Sequence, residues 1–188
     1  IVAAVGVVVI TSASNPKLRL VHRLLESRRQ REKEGLFVVD GEDLVQAAED
    51  AGIESVELLR ADEDVEPELL AKVSTMGHPP RVLGIYRRNA LPRGVEPVAL
   101  ALWHVADPGN LGTILRTADA FGASVAVSPG CADPTGPKAV RASAGALFRV
   151  PLADFDEPGG TRVALVSHDG RPLAARHGVQ AQCDHAEQ

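Results

Sequence analysis

A run of six apolar residues from Val98 to Trp103 constrains the fold of this chain more than any other feature. An unbroken apolar run of this length is typical of a parallel strand that is covered on both faces. The run leads to a turn at residues 107–110, Leu111 to Phe121 then has helix-forming composition, and Ser124 to Val127 follows as the next strand. Parallel strands need such a helical crossover, so this half of the chain predicts an α/β fold with a mostly parallel sheet.

Strand and helix patterns also alternate in the rest of the chain. They predict helices over residues 17–34, 42–51, 66–76 and 138–147, and strands over residues 36–39, 53–59, 81–86, 148–152 and 162–166. A passage rich in Pro and Gly, residues 92–97, is the predicted linker. We therefore divide the chain into an N-terminal α/β domain over residues 12–91, the linker, a C-terminal domain over residues 98–170 and a disordered tail over residues 171–188.

Composition excludes several classes of protein. The chain has 188 residues, 45% of them hydrophobic, as expected for a globular protein with a core. Its apolar start, Ile1 to Ile10, is shorter than the roughly 20 residues that cross a bilayer, and no signal peptide or membrane partner is predicted. Cys131 and Cys183 lack the neighbours of a zinc site, so we expect no metal and a reducing, cytoplasmic location. Aromatic residues are scarce, which argues against a surface that binds single strands mainly by stacking.

The net charge of −5 conceals a segregation of charge along the chain. Residues 12–34 carry seven Lys or Arg against three acids, whereas residues 35–70 carry one against twelve. In the first segment the apolar positions recur at helical spacing, and the basic residues fill the remaining arc: Lys17, Arg19, Arg23, Arg28, Arg29 and Arg31. We predict that this basic face binds RNA phosphates; the alternative is a solvated helix face.

A second candidate site lies at the turn from Asp107 to Gly112. Ligands of open parallel sheets bind beyond the carboxyl ends of strands, where helix amides face an anion. The turn is expected to place Asn110 and Gly112 at the helix entrance, with Arg116 about one turn further on. Two alternatives stay open: Arg116 is solvated, or the turn holds the phosphate group of a small-molecule substrate. The spacing does not match the glycine pattern of dinucleotide-binding sites.

A third stretch, from Asp133 to Pro151, contains Lys138, Arg141, Ser143 and Gly145. Together with the segment from Asn110 to Ala118, it resembles the first two of three motifs of the SpoU (TrmH-like) RNA 2′-O-ribose methyltransferases, a family of the knotted SPOUT superfamily. The N-terminal domain is similar to the accessory substrate-binding domain of that family, which has the fold of small ribosomal RNA-binding proteins. The resemblance covers roughly residues 12–170.

The resemblance implies S-adenosylmethionine as methyl donor, rRNA or tRNA as substrate, a homodimer and a deep trefoil knot. It also implies that Asn110 and Arg116 are the catalytic residues, and that Lys138, Arg141 and Ser143 belong to the second motif and contact RNA. Alternatives from the residues themselves remain: Ser143 lies among small residues that suit close helix packing, and Lys138 and Arg141 are equally compatible with solvent. His104 is interpreted as a structural residue, and Asp119 is expected to face solvent.

Chemistry narrows the role of Arg116. A ribose hydroxyl is a weak nucleophile, so transfer of a methyl group to its oxygen needs a proton acceptor and stabilisation of the developing oxyanion. Arginine, with a pKa above about 12, stays protonated. We therefore predict that Arg116 binds phosphate and stabilises the oxyanion, while RNA phosphate or solvent accepts the proton.

The third motif of the family is not found after Leu173, where the remaining residues have almost no apolar content. The resemblance therefore predicts a methyltransferase domain that is truncated before the knot is completed, and the residues that bind the donor are not identified. The predicted function is RNA 2′-O-ribose methylation; the alternative is a non-catalytic RNA-binding protein without a donor pocket.

Overall fold

The computed structural model of the chain describes residues 9–74 and 80–160. Within them the order of elements is α1 (Pro16–Glu26), α2 (Arg28–Glu34), β1 (Leu36–Asp40), α3 (Glu42–Asp50), β2 (Ser55–Arg60), α4 (Pro67–Val73), β3 (Val82–Arg87), β4 (Ala99–Leu102), α5 (Pro108–Phe121), β5 (Ser124–Val127), α6 (Pro137–Ser143) and β6 (Leu152–Asp154). Two 3₁₀ turns, Arg88–Ala90 and Ala146–Phe148, follow β3 and α6. The predicted strand at residues 162–166 and the tail at residues 171–188 lie outside the described residues.

The strands form two three-stranded sheets. The N-terminal sheet has the order β1-β3-β2 and is antiparallel throughout. The C-terminal sheet has the order β4-β5-β6 and is parallel, with Leu102 opposite Val127 and Val127 opposite Asp154. The prediction of an α/β fold with a parallel sheet is confirmed.

Helices cover both faces of the N-terminal sheet. On one face, Leu18, Val21 and Leu24 of α1 pack with Leu70 of α4 against Val38 of β1. The alternate residues of the same strand point the other way, as the period of a strand requires. On that second face, the apolar cluster runs from the N-terminal sheet and α3 into α5, α6 and the turn after α6: Phe37, Val39, Ala48, Tyr86, Leu111, Leu115, Val140, Leu147 and Phe148. The two halves of the chain therefore share one core.

Three rings lie at the centre of this shared core. The ring centroids of Phe37, Tyr86 and Phe148 are 6.0 to 6.5 Å apart, which is within the range of favourable aromatic pairs. Burial, with the nearby charge of Glu49, raises the pKa of Tyr86 to about 12. The rings come from β1, β3 and the turn after α6, so they join the N-terminal sheet to the second motif.

Several predicted elements differ from the structure, among them the long N-terminal helix, the helix over residues 138–147 and the strand over residues 148–152. The single helix over residues 17–34 is wrong, because Ser27 is extended (φ −125°, ψ 116°) and its hydroxyl accepts a hydrogen bond from the Gln30 amide, which caps a new helix. Helix α6 ends early, since Ala144 and Gly145 both have positive φ. The strand predicted at residues 148–152 begins only at Leu152, after the 3₁₀ turn.

Candidate RNA methyltransferase site

Helix α5 carries both residues of the first candidate pair, and it begins earlier than predicted. Asp107 caps the helix, because its side chain accepts a hydrogen bond of 2.7 Å from the backbone amide of Asn110. Pro108 occupies the first position of the helix. Asn110 therefore lies in the first turn of the helix and not in a loop. Arg116 lies about 12 Å from the start of α5, two turns and not one turn along it.

Asn110 and Arg116 are exposed, and neither side chain forms a hydrogen bond or ion pair in the part of the chain that the structure describes. They are about 9 Å apart along the axis and about 120° apart around it, so α5 alone does not bring them to one point. The neighbouring Asp119, expected to face solvent, is instead paired with Arg149 at 2.6 Å. The structure thus presents Arg116 as a cation without a protein partner among the described residues.

The two sequence motifs meet at Gly112. A β-carbon at this position would lie 2.6 Å from the carbonyl carbon of Ala142 and 2.8 Å from the amide nitrogen of Ser143. Side chains larger than hydrogen are excluded there because backbone atoms cannot yield as a flexible side chain does. Gly112 therefore serves helix packing, and α6 covers the backbone at this position of the helix entrance.

The residues of the second motif have different environments. Ser143 is fully buried, and its hydroxyl donates a hydrogen bond of 2.7 Å to the Val140 carbonyl. This environment favours the packing alternative for Ser143 over RNA contact. Lys138 is exposed in the first turn of α6, and Arg141 is half-buried with an interaction of its own.

The basic face of α1 and α2 is smaller than the sequence indicated. Lys17 pairs with Glu57 at 2.8 Å, and Arg28 pairs with Glu32 and donates to the Cys131 carbonyl. Three members are exposed and have no ion pair with any described residue: Arg19, Arg23 and Arg29. Lys33 of α2 is also exposed and has no ion pair with a described residue, so these four basic residues remain available for phosphate groups.

Arg31 was placed on this face by its spacing, and that assignment is wrong. Its side chain is only 6% exposed, and its Nε donates to Asp133 Oδ2 at 2.8 Å. Its Nη1 donates to the Leu24 carbonyl at 2.6 Å. The guanidinium lies inside the protein because a buried carboxylate from the second half of the chain receives it.

Asp133 collects polar contacts from both halves of the chain. Its Oδ1 accepts hydrogen bonds from the amide and hydroxyl of Thr135, and Arg88 lies 3.5 Å from Oδ2. Burial by itself raises the pKa of this carboxyl, but the hydrogen bonds from Thr135 and Arg31 and the charge of Arg88 outweigh it and hold the pKa below its usual range. Asp133 is thus a charged anchor between α2 and the loop before α6.

An aromatic cluster that the sequence did not predict lies where β4 and β6 end. The Trp103 ring stacks on the His104 ring, with 4.5 Å between the ring centroids. The centroid of the Phe155 ring lies 5.3 Å from that of Trp103. Trp103 is 65% exposed. The signal available in the sequence was a Trp-His pair directly after a parallel strand, at the edge where ligands of such sheets bind.

A cavity of about 740 Å³ adjoins this cluster. Its wall includes Ser128 after β5, Leu152 and Asp154 of β6, and Phe155 and Asp156 beyond it; the N-terminal half contributes Arg28 and Arg88. This volume is within the range of small-molecule sites, roughly 300 to 1,000 Å³. The cavity opens at the carboxyl edge of the parallel sheet.

Comparison with known proteins assigns the chain. A model of the SpoU rRNA methylase family matches residues 97–184, which include both motifs. The chain belongs to the SpoU family of RNA methyltransferases. It is 32% identical over 190 residues to the human mitochondrial rRNA methyltransferase 3, covering 82% of this chain and 45% of the human protein.

Two further relatives extend the comparison. The chain is 28% identical over 164 residues to the 23S rRNA (guanosine(2553)-2′-O)-methyltransferase of Bacillus subtilis, covering 79% of the chain and 66% of that protein. An AdoMet-bound rRNA methyltransferase from Sinorhizobium meliloti superposes with a TM-score of 0.67 at 28% identity, over 77% of this chain and 63% of that one. The chain spans about half the length of the first mitochondrial relatives that it matches.

For this SpoU family member, the described residues were also searched for membrane-spanning helices and for groups that could bind a metal ion. None of the helices in residues 9–74 and 80–160 is both long and apolar enough to cross a bilayer. The same residues contain no group of three or more His, Cys, Asp or Glu side chains that could hold a metal ion.

Proposed function

We propose that this chain methylates a ribose 2′-hydroxyl of rRNA, with S-adenosylmethionine as donor. The observation that carries the proposal is α5: it holds Asn110 and Arg116 exposed and unpaired among the described residues, and Gly112 fixes the helix against the second motif. The B. subtilis relative is named for 2′-O-methylation of 23S rRNA, and the other relatives described above are named for rRNA. These names, with the motif positions, support rRNA as the substrate class.

The chemistry assigned to Arg116 follows from its permanent charge. A guanidinium does not accept a proton at neutral pH, but its planar set of donors binds a phosphate or an oxyanion through two hydrogen bonds. Arg116 therefore holds the RNA phosphate beside the reacting ribose and stabilises the oxygen as its proton leaves. The side-chain amide of Asn110, which has both a donor and an acceptor, orients the sugar hydroxyls.

The described residues fit the donor in volume and charge. When bound, S-adenosylmethionine supplies an electrophilic methyl group on a positively charged sulfur. The cavity at the carboxyl edge of the parallel sheet has sufficient volume, and its wall carries both signs of charge. The carboxylates of Asp154 and Asp156 would face the cationic groups of the donor, and the guanidinium groups of Arg28, Arg88 and Arg93 would face its carboxylate. Ser128 and Leu152 on the same wall would contact its polar and apolar parts.

Binding of the RNA is assigned to the N-terminal half. Arg19, Arg23 and Arg29 are exposed on α1 and α2, and guanidinium groups that neutralise phosphates make affinity fall steeply with salt. We infer that residues 12–91 are the substrate-binding domain of a cytoplasmic homodimer. The prediction about the trefoil knot concerns the segment after residue 160, which lies outside the described residues.

Exchange of Arg116 for Lys tests the proposal. We expect Arg116→Lys to lower the rate of methyl transfer to rRNA about a hundredfold, because a point charge replaces the planar set of donors. Arg81→Lys is the matched control, since Arg81 is exposed at the start of β3, away from α5. The measurement is incorporation of labelled methyl groups at saturating donor, with folding checked by circular dichroism.

Nearly full turnover by Arg116→Lys would contradict the assigned role. Specific rRNA binding by the unaltered chain without any donor binding in calorimetry would instead support the non-catalytic RNA-binding alternative, which no contact described above favours.

A further inference from the structure

Two of the six aromatic side chains of the chain lie together on the surface. Trp103 directly follows β4 and Phe155 directly follows β6, and because both strands flank β5 in parallel, the two rings emerge at the same edge of the sheet. Their centroids are 5.3 Å apart with the ring planes at 54°. The core rings Phe37, Tyr86 and Phe148 are fully buried, whereas Trp103 is 65% exposed.

The position of the Trp103 ring is set by its neighbours. His104 stacks beneath it at 4.5 Å and 17°, in a left-handed conformation (φ 53°) that is uncommon for a residue other than glycine. The His104 amide donates to Ser128 Oγ at 3.0 Å, and a β-carbon on Gly130 would lie 3.3 Å from the imidazole. The loop after β5 therefore holds the imidazole, and the imidazole supports one face of the indole.

We propose that Trp103, supported by His104 and Phe155, is a stacking platform for an unpaired base of the RNA substrate. This inference rests on the proposed function and specifies which residues contact the bases. Every base has an aromatic face, so such a platform accepts any unpaired base and fixes its position without reading its sequence. The platform lies a few residues before Asp107, which caps the helix that carries Asn110 and Arg116.

The wall beside the platform carries charges of both signs, with one more cation than anion. Phe155 also lines the cavity of about 740 Å³, whose wall carries the guanidinium groups of Arg28, Arg88 and Arg93 against two carboxylates. Basic groups next to exposed rings are the combination that binds single-stranded nucleic acid. The scarcity of aromatic residues argued against a surface that binds mainly by stacking; the structure places a single pair of rings beside a wall of mixed charge.

The open face of Trp103 favours a base of the RNA over the adenine of the donor. Sites for small molecules are concave and bury most of their ligand, roughly 70 to 90% of its surface. Trp103, which is 65% exposed, offers a ring face for stacking but does not enclose a ligand. A base that is held by its polymer does not need enclosure, because phosphate contacts on either side already localise it.

Trp103 is the single tryptophan of the chain, so its fluorescence reports directly on the platform. The experiment titrates the 188-residue chain with a single-stranded oligoadenylate of six nucleotides, with an abasic oligomer of the same length and charge, and with S-adenosylmethionine. We expect the oligoadenylate to quench the Trp103 emission, both without the donor and at saturating donor, and the abasic oligomer to leave the emission unchanged. Equal quenching by the abasic oligomer, or quenching by the oligoadenylate that saturating donor abolishes, overturns the proposal.

Variants give a second measurement, by fluorescence anisotropy of a labelled oligoadenylate. Trp103→Ala should weaken binding on the order of tenfold, and Trp103→Phe should restore most of the affinity because it keeps a ring. Phe121→Ala is the matched control, since Phe121 is an exposed ring at the opposite end of α5 and should leave binding unchanged. Equal affinity of Trp103→Ala and Phe121→Ala contradicts the platform.

The methyl transfer assay separates this inference from the proposed function. If Trp103→Ala keeps both RNA affinity and methyl transfer, the platform is wrong and the proposed function stands. If base-dependent quenching is observed but the unaltered chain transfers no methyl group under any condition, the platform stands and the proposed function fails.

Discussion

The ion pair between Arg31 and Asp133 is the single-residue contact that most firmly joins the two halves of the chain. Both side chains are almost completely buried, and Arg88 and Thr135 complete the polar cluster. A buried pair costs desolvation to form, but removal of one partner leaves an uncompensated charge inside the protein. Arg31 and Asp133 therefore depend on each other for their place in the structure.

Replacement of Asp133 tests this dependence. Asp133→Asn should lower the free energy of unfolding at pH 7 by about 3 to 5 kcal/mol, because Arg31 stays buried without its carboxylate. The measurement is urea unfolding followed by circular dichroism. Asp156→Asn, an exposed acid with no ion pair among the described residues, is the control and should change the free energy by less than about 0.5 kcal/mol.

The same variant fixes the sign of a pH dependence. The pKa of Asp133 is lower in the folded chain than its unfolded value of about 3.9, so its contribution to stability is complete above that value. The contribution is lost as the pH falls below about 4, through the folded pKa. The unaltered chain should therefore lose more stability than Asp133→Asn over this range, and equal losses would contradict the assignment.

Sequence spacing placed Arg31 with Arg28 and Arg29 on one basic face. Spacing alone is not sufficient to predict which of these side chains is exposed. The partner of Arg31 is 102 residues away, which no local pattern reveals. The exposed positions of Arg19, Arg23 and Arg29 did follow from helical periodicity. Ser143 shows the same limit, because its neighbours allowed either packing or RNA contact and only the crossing of α5 and α6 buries it.

Among the elements, the crossing of α5 over α6 determines how the candidate site is presented. Gly112 allows the two helix backbones to approach, and Ala142 and Ser143 fill the contact from the other side. The motif residues Gly112 and Ser143 are therefore structural partners of each other, whereas Asn110 and Arg116 are exposed.

A methyl group at position 112 tests the crossing. Gly112→Ala should lower the free energy of unfolding by about 1 to 2 kcal/mol, because overpacking outweighs the gain in helix propensity. Gly159→Ala provides the comparison, since a β-carbon there meets no atom within 4 Å and the residue has no positive φ. A Gly112→Ala protein as stable as Gly159→Ala in chemical denaturation would show that the helices do not cross this closely.

Elements were predicted well where the pattern was local and poorly where a cap decided the boundary. The strand Ser124–Val127 and the ends of α3 followed from apolar periodicity and glycines to within one residue. The start of α5 was placed three residues late because Asp107 was interpreted as part of a loop and not as the cap. The break at Ser27 was missed because the helical pattern continues across it.

On the scale of the whole molecule, an antiparallel and a parallel sheet are joined through one core. The sequence predicted two domains and a linker, and in the structure residues 92–97 lie between β3 and β4. The structure adds that Phe37 and Tyr86 of the first sheet pack directly on Phe148 after α6. The proposed RNA-binding surface on α1 and α2 is thereby held in a fixed relation to α5, which carries the proposed active-site residues.

The most direct test of the account is the position of the transferred methyl group. The 188-residue chain is incubated with a 23S rRNA transcript and S-adenosylmethionine labelled in its methyl group, and the RNA is then hydrolysed in alkali. A methylated 2′-oxygen cannot attack the adjacent phosphate, so we predict that the label is recovered in alkali-resistant dinucleotides. Label recovered in mononucleotides, which indicates methylation of a base, or an RNA without label, would contradict the account.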